Sequence, residues 1–512
     1  MLPTTMADAS IARDVLAATK LTLSRSLTPI LPLFPGIAAI LAVCFGVDAL
    51  LRRLRVAFPA SVATMVLLFA GLLLCERVGG AHRTRRFLAL IDLPANWSLH
   101  WISVFFTPAF VLLPLSPPIG GVEVAKIIAV FIIGFFIMMA LAAYLTRALQ
   151  LLVGTSKRTP PAEDDVSVAP SSFSQAASTV PLQTLPRLQL DGTPPATSLE
   201  EPPRHAAPSM LPAQAAPELA RAERWARRAT THFNTVLFAC LLLFVGVPLY
   251  FSLGYAMPLH LSINTLAFFA AMAIPLPWRQ YLHPVLVASL LTVLVIWPLA
   301  LARGRSLPAT LSEYRVGAKY LQLWSRATTQ APGAGDVYAT LLDASIVSLA
   351  LPMFQYRREL RAHFLPIVLP SVLIAVGSLF AYPPLCFAVG ITAPRSLAFA
   401  SRSLTLALAT PATENLGGDV NTVAALAIIS GIFGVLVGQR MLAAMRIPED
   451  DYVTRGVTLG VNSSAIATAL LLRTDPRAAA LSSLSMSLFG TVTVLFTAIP
   501  PITNLIRSLV SL

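Results

Sequence analysis

The residues whose types and spacing could hold a ligand gather between Ser401 and Ala469, a stretch opening with SRSLTLALATPATENLGGD and closing with RGVTLGVNSSAIATA. Arg402 begins the first half. Its guanidinium could grip a carboxylate through two parallel hydrogen bonds; the plainer reading is an arginine snorkelling from the end of a span. Thr405, Thr410, Thr413, Glu414 and Asn415 follow with hydroxyl, carboxyl and amide groups, and Pro411 withholds a backbone N–H, leaving a carbonyl free. In the second half Asn462, Ser463, Ser464 and Thr468 offer small polar groups near Gly456 and Gly460; interhelical hydrogen bonding is their plainer role. Asp343, within LLDASIVSLALPMF, is the clearest acid inside an apolar run and could either carry a proton or pair with an arginine of another helix. Asp419, followed by Asn421 and Thr422, reads as a helix N-cap.

These groups need elements that bring them together. Both stretches are mostly apolar yet broken by Pro, Gly, Asn, Ser and Thr, so interrupted helices lining a cavity are expected rather than continuous ones. LTLALATPAT from Leu404 is faintly like VTLGVNSSAIAT from Val457. As an inverted repeat, the pair would bring both breaks to the middle of a membrane with helix N-termini facing an anion.

Composition supplies the membrane. Of 512 residues, 56% are hydrophobic and 12% charged, and the mean hydropathy is +0.73, far from the soluble average of about 25% charged. The chain reads as an all-α polytopic membrane protein. Apolar windows near 20 residues fall at 28–51, 56–75, 98–116 and 122–147, then at 232–251, 257–277, 281–302, 338–356, 364–392, 420–445, 456–472 and 478–502. That gives about twelve spans in two blocks, with Ser396 to Pro411 an additional re-entrant half-helix. Residues 1–153 form the first block with a short N-terminal tail; 154–226 read as a disordered Pro/Ser/Ala-rich linker ending in a basic amphipathic helix, or a helical extension of the next span; 227–512 form the second block. The tail could equally be a transit peptide. Loop arginines, among them Arg77, Arg83, Arg85 and Arg86 in a basic loop between the second and third windows, place the N-terminus and linker on the cytosolic or matrix side, although the basic 303–335 stretch then falls outside. The organelle stays open, mitochondrial and plasma membranes included.

The net charge of +13 is scattered over short loops, which argues against nucleic acid. Four cysteines at no ligand spacing and seven histidines without an HExxH pattern give no metal, and no cofactor is expected. Ser463 and Ser464 lack a GxSxG elbow, so an enzyme is not expected. The expected partners are the lipid bilayer and a small carboxylate, with a homo-oligomer such as a dimer left open.

The second block resembles the LrgB/CidB family through GAGDVYATLLDASIVSLALPMFQYRREL, SRSLTLALATPATENLGG, RIPEDDYVTRGVTLG and LSSLSMSLFGTVT. The first, with LRVAFPASVATMVLLFAGLLL and WISVFFTPAFVLLP, resembles the partner family LrgA/CidA, and joining the two resembles plant and fungal members. Where the family has PKSVTTPIA this chain has SRSLTLALAT, so Arg402 replaces Lys and Ala407 replaces Pro; where it has GTASHGIGTA this chain has GVNSSAIATA, with Ser464 at the histidine's place. The resemblance implies a secondary transporter of short monocarboxylates, glycolate- or glycerate-like 2-hydroxy acids or pyruvate, coupled to protons or counter-exchange. It also implies a runner-up, a holin-like modulator of membrane permeability and murein hydrolases; a pore would want a polar face repeated over several spans, whereas the polar residues gather in two interruptions, which favours the carrier.

Overall fold

The computed structural model describes residues 14–22, 24, 32–54, 58–115, 119–154, 217–275, 278, 282 and 284–512. The expected linker over 155–216 and most of the N-terminal tail lie outside the described residues. Two compact units emerge, residues 1–31 with 171–234, and residues 32–170 with 235–512. In the smaller one, residues 14–22 are helical, and a helix begins at Pro217.

The second unit carries the membrane helices. In chain order they are α1 (Leu33–Arg53), α2 (Ala60–Phe105), α3 (Thr107–Val111), α4 (Gly121–Val153), α5 (Pro217–Leu241, begun in the smaller unit), α6 (Val247–Leu253), α7 (Met257–Met272), α8 (Pro284–Ala302), α9 (Leu307–Tyr314) and α10 (Tyr320–Trp324). They continue as α11 (Ala334–Ser348), α12 (Ala350–Gln355), α13 (Arg357–Ala362), α14 (Phe364–Ala388), α15 (Ala393–Ala398), α16 (Leu406–Leu416), α17 (Val420–Ala444), α18 (Tyr452–Thr474), α19 (Pro476–Thr497) and α20 (Pro500–Ser508). Among the described residues, ten helical stretches are long and apolar enough to cross a membrane, one of them the 56-residue Ala60–Leu115, and Met257–Met272 is a shorter apolar helix. Because Ala60–Leu115 covers two of the expected windows and α7 another, each of the twelve windows contains a helix among the described residues.

The basic segment between the second and third windows is not a loop. α2 is helical throughout except at Gly80, whose φ of 73° and ψ of 168° only glycine adopts freely. There the chain folds back: Leu68 and Trp97 pack against the same cluster around Leu33, Cys44 and Val347, although a straight helix would set them about 43 Å apart at 1.5 Å per residue. The Thr84 hydroxyl donates to Gly80 O at 3.1 Å and lies 3.5 Å from Cys75 Sγ across the bend. The amphipathic stretch before residue 232 takes the form of an extension, since α5 runs unbroken from Pro217 to Leu241 before a π-turn at Leu242–Gly246.

The 303–335 stretch, at odds with the charge rule, is folded rather than open. The buried Asp336 carboxylate at the start of α11 accepts from Val316 N at 2.9 Å, Gly317 N at 3.0 Å and Gly333 N at 3.1 Å, which pins the turn between α9 and α10.

Candidate functional site

The first interruption lies six residues or more before Pro411. α15 passes into a 3-10 turn at Phe399–Ser401, the helix lapses over Arg402 to Thr405 although Arg402 itself keeps helical dihedrals (φ −57°, ψ −28°), and α16 starts at Leu406 with Thr405 extended at φ −61°, ψ 139°. The hydroxyls of this stretch take no backbone partner: Ser403 Oγ lies 4.0 Å from Met138 Sδ, and Ser401 Oγ has no partner. Pro411, expected at the break, sits inside α16. Gly417, left-handed at φ 75°, ends that helix, and Asp419 caps α17 by accepting from Asn421 N and Thr422 N, as its sequence context implies.

The second interruption is a single residue. α18 is helical on both sides of Ser464, whose φ of 46° and ψ of −137° lie where a side chain is strained. In the faint repeat Ser464 corresponds to Pro411. The two breaks therefore do not coincide in that register, and the likeness does not locate them.

The breaks nevertheless meet. The Ser464 hydroxyl donates to Ser403 O, and Arg402 Nη2 reaches Asn462 Oδ1 at 3.4 Å. Thr468 Oγ1 donates to Ser464 O at 2.9 Å and lies 2.7 Å from Ser482 Oγ, while Ser430 Oγ donates to Asn462 O at 2.7 Å. Thr405 Oγ1 is 3.9 Å from Met486 Sδ.

Arg402 is fully buried, which excludes the snorkelling reading. Its Nη2 donates to Gly134 O at 3.1 Å and Tyr382 Oη at 2.8 Å and lies 3.2 Å from Met138 Sδ. The guanidinium carbon stands 4.8 Å from the centre of the Tyr382 ring and 5.8 Å from that of Phe131. No carboxylate pairs with it among the described residues, and its Nε and Nη1 have no hydrogen-bond partner. Burying a charge without a counter-charge costs several kcal/mol, and three of the guanidinium N–H groups face no acceptor among the described residues.

Gly134, Met138, Phe131 and Tyr382 were not singled out from sequence. The available signal was Gly134 alone among bulky residues in IIGFFIMM: a Cβ there would stand 2.7 Å from Tyr382 Cε1, so α4 and α14 could not close around Arg402. Asn462 Nδ2, 3.3 Å from Phe135 O and 3.4 Å from Met139 Sδ, makes a second tie to α4.

Not all the expected residues share this centre. Ser463 is buried with its hydroxyl unpartnered, as is Thr413. Asn415 is half-buried with Nδ2 unpartnered, and Glu414 is exposed. Thr410 donates to Leu406 O at 3.0 Å. Thr410 and Pro411 instead line a cavity of about 290 Å³ together with Asp343. Asp343 does pair structurally, but with a lysine rather than an arginine: Lys319 Nζ is 3.8 Å from its Oδ2.

Residues 265–503 match the family model described as the LrgB-like family. The plastidal glycolate/glycerate translocator 1 of Arabidopsis thaliana is 22% identical over 486 residues, 94% of this chain and 81% of that protein. The holin-like protein CidB of Staphylococcus epidermidis is 28% identical over 153 residues, 30% of this chain and 66% of CidB. An uncharacterized protein of Haemophilus influenzae is 26% identical over 152 residues, 30% of this chain and 65% of its own length. No solved structure matches. The two descriptive names are those of a translocator and a holin-like protein, not of enzymes.

Proposed function

With an LrgB-like domain over residues 265–503 as premise, we propose that this chain is a secondary carrier of small monocarboxylates. The substrate class is glycolate- or glycerate-like 2-hydroxy acids, with pyruvate as the 2-oxo counterpart. One observation carries the reading: a fully buried guanidinium with Nε and Nη1 unpartnered stands where two interrupted helices meet. The substrate carboxylate takes those free N–H groups, and Asn462, Ser464, Thr405 and Thr468 supply hydroxyl and amide groups around it, with the unpartnered Ser463 hydroxyl between Asn462 and Ser464 in sequence. Thr410, Pro411, Thr413, Glu414 and Asn415, on α16, move with the first break. Asp343, paired with Lys319, carries the coupling proton or, in exchange, stays charged. Alternating access follows from rearrangement at the two breaks, where few backbone hydrogen bonds resist it.

The test is uptake of labelled glycolate into proteoliposomes at two pH values. Saturable uptake is expected in the wild type, with loss of at least about 100-fold in Arg402→Ala, the scale of removing a charged pair to a buried anion. Asp343→Asn is expected to flatten the pH profile. Non-selective passage of dyes without saturable uptake would instead favour the permeability role that the name of the CidB relative carries.

A further inference from the structure

The cavity beside Asp343 holds more charge than a single coupling acid needs. Arg315, Lys319, Asp48 and Asp343 all line its roughly 290 Å³. Asp48 is already held by Arg52 at 2.7 Å, which leaves Asp343 to Lys319 at 3.8 Å, too far for a hydrogen bond. Arg315 is exposed and, among the described residues, makes no hydrogen bond or ion pair. Charge therefore descends inward, from exposed Arg315, through a Lys319 side chain 28% exposed, to an Asp343 side chain 10% exposed. Beside them the buried Tyr320 phenol packs with Cys44, and burial, followed by the Asp343 charge, holds it protonated.

We propose that this cavity is an outer binding site for a 2-hydroxy monocarboxylate, its carboxylate on Lys319 and Arg315 and its hydroxyl donating to the Asp343 carboxylate. A loose cation–carboxylate pair suits such a molecule because one end answers each charge. A plain carboxylate would satisfy Lys319 but set a second anion against Asp343 with no proton between them. The ligand class rests on the carrier reading. Leu406, Thr410 and Pro411 of α16 line the cavity, and α16 begins immediately after the break that carries Arg402. A single short helix therefore links the outer cavity to the buried guanidinium, and substrate passes from the first to the second.

Equilibrium dialysis of labelled glycolate against the full detergent-solubilised chain carrying Arg402→Ala isolates the outer site. Glycolate binding is expected to persist there, with acetate competing about tenfold or more less effectively because it lacks the hydroxyl. Lys319→Gln and Arg315→Gln are each expected to weaken glycolate binding, and Asp343→Ala to abolish the preference for glycolate over acetate. Unchanged affinity in both cation variants, or equal competition by acetate, overturns the proposal. Should Lys319→Gln lose its cooperative thermal transition, Arg315→Gln decides, since that exposed side chain holds nothing in place. The two readings fail separately. Saturable wild-type uptake with undiminished binding in the cation variants removes the outer site alone, whereas absent saturable uptake removes the carrier and leaves the dialysis result standing.

Discussion

At the scale of single residues, the centre combines an uncompensated charge with a strained backbone. Replacing even a buried ion pair by apolar side chains of similar volume is often neutral or stabilising by about 1–4 kcal/mol, and Arg402 is a buried charge with no carboxylate partner among the described residues. Arg402→Met is therefore expected to raise the melting temperature of the detergent-solubilised protein while eliminating glycolate uptake, and a lower melting temperature would show that Arg402 serves the fold. Ser464 is the converse case. Its φ of 46° would suit glycine, so Ser464→Gly relieves strain of about 1–3 kcal/mol but loses the hydroxyl that donates to Ser403 O. Ser464→Ala loses the bond and keeps the strain, so it is expected to melt below Ser464→Gly. Arg402 was legible in the sequence because a guanidinium in an apolar segment has few explanations. Its companions on α4 and α14 were not, because Gly134 and Tyr382 carry no charge and lie 268 and 20 residues away along the chain.

At the scale of elements, helix content was legible from apolar windows, but where helices break was not. Pro411 was the obvious breaker by its missing N–H, yet it lies within α16, and the breaks fall at Arg402–Thr405 and Ser464. Tertiary bonds between the two segments, such as Ser464 to Ser403 O, hold the chain open at places that local propensity does not mark. The fold-back in α2 is hidden for the opposite reason: the charge of Arg77, Arg83, Arg85 and Arg86 signals a loop, although arginine is a good helix former and one glycine suffices for the reversal. The start of α18 offers a direct test of how that broken helix is held. Asp451 caps it by accepting from Thr454 N at 3.0 Å, and it also receives Arg147 Nη1 at 2.8 Å and Gln150 Nε2 at 3.2 Å from α4. Asp451→Ala removes the cap and leaves both α4 donors without their acceptor, so a loss of about 3–5 kcal/mol is expected by denaturant or thermal melting. Asp451→Asn retains a capping oxygen and is expected to lose less. Equal losses in the two variants would mean that the charge contributes nothing.

At the scale of the whole molecule, two observations set how stability and function depend on the joined blocks. His363, between α13 and α14, is buried, with Nε2 3.3 Å from Tyr452 Oη and Nδ1 unpartnered. Burial lowers its pKa, and the nearby Asp451 charge only partly opposes this. The unfolded chain therefore takes up a proton near the ordinary histidine value of about 6.5 that the folded chain refuses. Stability from this group is complete above that pH and declines as pH falls below it, until the folded histidine is also protonated. Melting curves from pH 7.5 down to pH 5 are expected to show this decline, and His363→Gln to reduce its slope; an unchanged slope would assign the decline to other groups. The second observation is the wall that α4 supplies. The acceptors that hold Arg402 Nη2 include Gly134 O, and Asn462 leans on Phe135 O and Met139 Sδ, so α4 of the first block forms one wall of a centre otherwise built by the second. Residues 227–512 expressed alone would expose a guanidinium face that α4 normally covers. Such a fragment is expected to show no saturable glycolate uptake, and co-reconstitution with residues 1–153 is expected to restore it. Full uptake by the fragment alone would show that the contacts made by Gly134 and Phe135 are dispensable, and that the first block acts only as a scaffold remote from the substrate.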